Sequence, residues 1–129
     1  WYLLGGYEMQ DAEEAFRAEL DAWLAKGVNC PFVFTEYGCD NLQGEYKLPS
    51  VQWSAEYELE YLKIYERVFD SYDCIKGEQV WNFADFQTVE GIMRVNGNKK
   101  GIFTRQRQPK AAAYYFKNRW ENLPVDYKG

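Results

Sequence analysis

A chain of 129 residues, 47% of them hydrophobic, has enough apolar surface for a core. Its formal net charge of -5 and sequence pI of about 4.8 disfavour nucleic acid and anionic membranes as partners. There is no histidine, which excludes a Ser-His-Asp triad, a Cys-His pair, a zinc site of the H-E-x-x-H kind and a histidine general base.

The opening Trp1-Tyr2-Leu3-Leu4-Gly5-Gly6 has neither the pattern of a signal peptide nor that of a helix start. It reads as an interrupted loop, with the natural N-terminus expected further upstream. Residues 11–26 form an amphipathic helix in which Ala12, Phe16, Leu20, Trp23 and Leu24 share one face. Acidic residues crowd its first turn and Gly27 follows its last lysine, as at a helix stop. Residues 31–38 are an apolar run without polar alternation, which predicts a strand covered on both faces. The apolar part ends in the carboxylate of Glu36.

Residues 39–51 read as a loop. A second helix is predicted over 54–72, with Tyr57, Tyr61, Leu62, Tyr65, Val68 and Phe69 on one face. Ser54 is its N-cap, and Glu56 and Glu58 sit near the positive end of its dipole. A second buried strand is predicted over 79–86, then a long loop over 87–107 and a closing helix over 110–120, with Pro109 at its first position. Helix, strand, helix, strand, helix, with the longer loops after the strands, is the grammar of βα units in a parallel sheet. Such a sheet has both edges open, and loops that follow strand ends carry the chemistry in (β/α)8 barrels.

Cys30, Cys39 and Cys74 are too few and too scattered for a zinc knuckle or a disulfide framework. Their odd number points to a reducing, cytoplasmic compartment. No apolar run approaches the ~20 residues of a membrane helix. Aromatic residues make up 19% of the chain, enough for a core and for a site that stacks flat ligands or sugar faces. Arg94, Lys99, Lys100, Arg105, Arg107 and Lys110 crowd one stretch of an acidic chain, as either a solvated loop or a local anion site. Glu36 at a strand's end is either a salt-bridged structural residue or a catalytic one. A buried, unpaired charge there would cost several kcal/mol, by order of magnitude.

Three ordered segments make a more specific statement. Phe34-Thr35-Glu36-Tyr37-Gly38, Val80-Trp81-Asn82-Phe83-Ala84-Asp85-Phe86 and Asn98-Lys99-Lys100-Gly101-Ile102-Phe103-Thr104-Arg105 resemble the β-glucuronidases in family 2 of the glycoside hydrolases. The likeness covers essentially the whole chain. It implies that residues 1–129 are the C-terminal portion of a (β/α)8 TIM barrel, with residues 33–37 as strand seven and 80–85 as strand eight. Glu36 is then the nucleophile of a retaining glycosidase, which uses two carboxyl groups about 5–5.5 Å apart. The acid/base belongs to an Asn-Glu pair on the strand-four loop; no such dipeptide occurs here, so it is expected upstream of Trp1.

By the same resemblance Asn98 and Lys100 read the sugar carboxylate, while Lys99 points to solvent. A hydrogen bond to a charged group is worth about 1.5–3 kcal/mol, or roughly 10–100-fold in discrimination. Trp81 forms a floor for the sugar, with a cis peptide expected at Trp81–Asn82. Trp1 and Tyr2 line the pocket, Arg94 lies beside it, and Asp85 has a structural role. Glu78 is expected ahead of the second strand, at the barrel's other end. Tyr37 could bond Glu36, although strand alternation opposes that. The resemblance implies no metal or organic cofactor, and a homo-oligomeric, tetrameric parent enzyme. A β-galacturonidase and a non-catalytic carbohydrate-binding fragment are the alternative readings.

Overall fold

The computed structural model describes residues 8–94 and 96–124, so Trp1 and Tyr2 lie outside it. After a 3-10 turn at Met9–Asp11 come α1 (Ala12–Ala25), β1 (Phe32–Tyr37), α2 (Ala55–Asp70), β2 (Ile75–Val80) and α3 (Ala111–Glu121). The strands are neighbours in a parallel sheet, with Phe32 opposite Ile75, Phe34 opposite Glu78 and Tyr37 opposite Val80. Helix α2 makes the crossover between them, and packs with α1 on one side and α3 on the other.

The helices form where apolar periodicity predicts them. Glu13 and Glu14 occupy the first turn of α1, and Gly27 just beyond it takes a φ of +81° that a side chain would resist. Ser54 caps α2, its hydroxyl accepting the Tyr57 N–H at 3.3 Å. Helix α3 begins after Lys110, which leaves Pro109 one residue ahead of the cap, not at the first helical position.

Many of the described aromatic residues serve the core. Tyr65 lies between Tyr61 at 4.2 Å and Phe16 at 4.7 Å, and Phe69 contacts Phe34 at 4.8 Å and Tyr37 at 5.0 Å. Burying one such side chain contributes about 1.5–3 kcal/mol, and this cluster ties α1, β1 and α2 together. Trp23 departs from the expected face of α1. It is 46% exposed, and its ring takes the Lys26 ammonium at 4.4 Å in place of core contacts.

Two expectations about the strands need correction. In β1, Val33, Thr35 and Glu36 are exposed, so the described residues cover one face of the sheet and not both. The second strand runs from Ile75 to Val80, earlier than predicted, because the backbone from Asn82 to Phe86 pairs with residues 98–103 and not with β1. Glu78 therefore lies inside β2. Arg119 of α3 holds it at 2.9 Å, together with Asp70 at 2.8 Å and Glu66 at 3.4 Å, and so joins α3 to α2 and β2. Among the described residues no helix is long and apolar enough to cross a membrane.

Candidate functional site

The C-terminal ends of β1 and β2 lie side by side, where the Trp81 N–H donates to the Tyr37 carbonyl at 2.7 Å. The register of β1 shifts between Phe34 and Tyr37, and Tyr37 and Val80 pack into the core. Glu36 and Trp81, next to them in the chain, are both exposed at these neighbouring strand ends. The Trp81–Asn82 peptide is cis, as the resemblance led us to expect. Tyr37 does not serve Glu36: its ring is fully buried, its hydroxyl has no hydrogen-bond partner among the described residues, and burial pushes its pKa far up.

Past the strand the chain turns at Gly38, whose φ is +150°. A Cβ there would sit 2.3 Å from the Trp81 carbonyl oxygen, so glycine is what allows the end of β1 and the tryptophan to approach. The Gly38 N–H donates to the Tyr61 hydroxyl at 3.1 Å, which anchors this exit on α2.

The second half of the site is built on backbone pairing. The Asn82 N–H donates to the Lys100 carbonyl, the Ile102 N–H to the Asn82 carbonyl, and Asn98 exchanges both backbone bonds with Phe86. At Gly101 a Cβ would lie 2.1 Å from the Asp85 nitrogen, so only glycine permits this closeness. Asn98 and Lys100 are both buried, and the Asn98 Oδ1 accepts the Lys100 N–H at 2.9 Å, closing the turn on itself. Lys99 is half-buried, not solvated. It lines a cavity of about 760 Å³ with Leu42, Trp53, Phe86, Ile92 and Arg105.

Two residues outside the expected set hold this turn. Asp40, on the loop after β1, places Oδ2 2.5 Å from the Lys100 Nζ and accepts the Lys99 N–H on Oδ1 at 3.1 Å. The Arg94 Nη1 approaches the same Asp40 Oδ2 at 4.0 Å. Lys110 is 1% exposed, and its ammonium donates to the Asp85 Oδ1 at 2.8 Å, the Asn41 carbonyl at 2.8 Å and the Lys99 carbonyl at 2.9 Å. Asp85 also accepts the Gly101 N–H at 3.0 Å, in keeping with its expected structural role. The structure thus brings Arg94 and Lys100 together at Asp40, with Asn98 bonded to the Lys100 N–H and with Glu36 and Trp81 at the adjoining strand ends. Among the described residues no group of His, Cys, Asp and Glu could hold a metal ion.

Beneath the site, the Glu58 side chain on α2 is 3% exposed, and its Oε2 has no hydrogen-bond partner among the described residues. Burial pushes its pKa up to about 8; Lys110 opposes the shift, while Asp85 and Asp40 add to it. Burial likewise raises Glu66 to about 7, against the Tyr115 hydroxyl and Arg119. A carboxyl whose folded pKa lies above its unfolded value adds stability that is complete below the unfolded pKa and lost as pH rises through the folded one. For Glu58 that window runs from 4.5 to about 8. Glu58→Gln should remove this part of the pH dependence, worth on the order of a few kcal/mol. Denaturant titrations of wild type and variant at pH 5 and pH 8 measure it. An equal loss of stability in both between those pH values would show that Glu58 does not keep its proton in the folded state.

The family profile described as "Glycosyl hydrolases family 2, TIM barrel domain" matches residues 3–125. A "Beta-glucuronidase" of Paenibacillus borealis is 47% identical over 123 residues, which cover 95% of this chain and 20% of that protein. One from Streptococcus agalactiae is 42% identical over 124 residues, covering 96% of this chain and 20% of that protein. Among solved structures, Lactobacillus rhamnosus β-glucuronidase superposes with a TM-score of 0.92 at 63% identity, over 100% of this chain and 22% of that one. Ruminococcus gnavus β-glucuronidase in complex with D-glucuronic acid gives a TM-score of 0.87 at 63% identity, over 93% of this chain and 21% of that one. The chain spans about a fifth of the length of the relatives it matches.

Proposed function

The chain belongs to glycosyl hydrolase family 2, as part of its TIM barrel domain, and from that premise we propose that it supplies the nucleophile and the carboxylate reader of a retaining β-glucuronidase. Glu36 attacks the anomeric carbon and displaces the aglycone to leave a glycosyl ester; water then releases glucuronate. The second carboxyl, which protonates the leaving oxygen and then activates the water, comes from another part of the full-length protein, and the 129-residue chain alone is inactive. Trp81 forms the floor under the sugar. The full-length enzyme is a homo-oligomer, and its thiols suit a reducing compartment such as the cytoplasm.

One observation carries this reading. The exposed carboxylate at the end of β1 is followed, four residues later, by the aspartate that holds the Lys100 ammonium and the Lys99 N–H, with the buried Asn98 bonded to the Lys100 N–H. Lysine supplies a point charge and asparagine a neutral donor, which is what a C5 carboxylate requires and a neutral hexose does not. Lys100→Ala in the full-length protein should lower kcat/KM for a chromogenic β-glucuronide by about 10–100-fold, and much less for the matching β-glucoside. Equal losses on both substrates would show that Lys100 does not read the carboxylate. A β-galacturonide differs only at C4 and belongs in the same panel; if it is preferred, the galacturonidase alternative stands.

A further inference from the structure

The Lys100 ammonium does not stand alone in its pocket. Its side chain is 3% exposed, and Asp40 faces it with a side chain 13% exposed. A buried ammonium with freedom of rotation would lose orientation, and a lysine held by a carboxylate keeps one geometry. Asp40 does this with both oxygens at once. Oδ2 takes the Lys100 ammonium and Oδ1 takes the Lys99 N–H, so one carboxylate fixes the charge and the peptide that carries it. The neighbouring Asn41 N–H donates to the Lys99 carbonyl at 3.0 Å, which pins the other end of that residue.

The Asp40 Oδ2 faces the Lys100 ammonium at 2.5 Å and the Arg94 guanidinium at 4.0 Å. Without Asp40 the pair would attract any anion strongly and orient none. With it, the donors are preset before the sugar arrives. Asp40 also lies on the loop that leaves the Glu36 strand, so one segment positions the attacking group and the acid reader together.

We propose that Asp40 is a positioning residue that acts through Lys100 to set selectivity for uronides over neutral sugars. This rests on the assignment of Lys100 as the carboxylate reader. It is tested in the full-length protein with Asp40→Ala, Asp40→Asn, Lys100→Ala and the Asp40→Ala/Lys100→Ala double variant, each assayed on β-glucuronide and β-glucoside. Asp40→Ala should cut kcat/KM for the glucuronide by about 10-fold or more, the scale of a lost charged hydrogen bond, while glucoside turnover holds. Asp40→Asn keeps the shape but puts a donor where one oxygen was, and should fall between wild type and Asp40→Ala. In the Lys100→Ala background, Asp40→Ala should have little further effect on the glucuronide.

Equal losses on both substrates would make Asp40 merely structural and overturn the proposal, as would additive losses in the double variant. If Lys100→Ala changes the preference and Asp40→Ala does not, the positioning role alone fails. If Lys100→Ala leaves the preference intact, the assignment of the reader fails and this proposal falls with it.

Discussion

Glu36→Gln is expected to abolish β-glucuronide turnover in the full-length protein, with kcat falling by about 10⁴-fold or more, the scale seen when a hydrolase loses its nucleophile. Glutamine has the size of glutamate and leaves the pocket filled, so KM should change far less than kcat. The amide cannot form the glycosyl ester on which retention depends. A sharper version uses Glu36→Ala and added azide. The small anion fits the space of the lost carboxylate, attacks from the same face and gives an α-glucuronyl azide. Recovery of turnover with that configuration identifies the nucleophile. A β-azide would instead mark Glu36 as the acid/base, and unimpaired turnover by Glu36→Gln would remove it from the reaction altogether.

Lys110→Met is expected to destabilise the protein by about 3–5 kcal/mol, the cost of leaving one partner of a buried ion pair without its counter-charge. Methionine fills nearly the same volume, so a cavity is not the cause. The cause is that Asp85, 6% exposed, keeps a carboxylate with no cation against it, and the Asn41 and Lys99 carbonyls each lose a donor. Lys110→Met/Asp85→Leu should recover part of the loss, because removing both charges removes the uncompensated one. Denaturant midpoints at constant m-value measure both variants. A change below about 1 kcal/mol for Lys110→Met would mean that Lys110 is no more than a solvated surface lysine.

Helix periodicity made α1, α2 and α3 readable in the sequence, because an apolar stripe on a helix is a local pattern. Ser54 and Gly27 were readable for the same reason: a cap and a stop act within one turn. Glu36 and the Asn98–Lys100 segment were visible as matched motifs. The partners of those motifs were not. Asp40 sits in a stretch of turn-forming residues, and nothing near it indicates that it will meet a lysine 60 positions away.

Lys110 was visible only as one member of a basic cluster. Its burial depends on Asn41, Asp85 and Lys99, which converge only in the folded chain. Glu58 was legible only as an acid near the positive end of α2, although it and Glu66 face the core beside Lys110 and Arg119. The end of β2 at Val80 was missed because Trp81 to Phe86 continues the apolar pattern while its backbone changes partner. Periodicity records which faces are apolar, and does not record which neighbour takes the hydrogen bonds.

Covalent trapping of the nucleophile tests the central claim most directly. A 2-deoxy-2-fluoro-β-glucuronyl fluoride slows both steps of a retaining reaction, but hydrolysis of the glycosyl ester more than its formation, so the ester accumulates. After proteolysis of the full-length protein treated in this way, mass spectrometry should find one fluoroglucuronyl group on the peptide containing Glu36, with fragmentation placing it on that side chain. The same reagent built on glucose should label far more slowly, and labelling by the uronyl reagent should weaken in Lys100→Ala. A fluoroglucuronyl adduct on any other carboxylate would contradict the account.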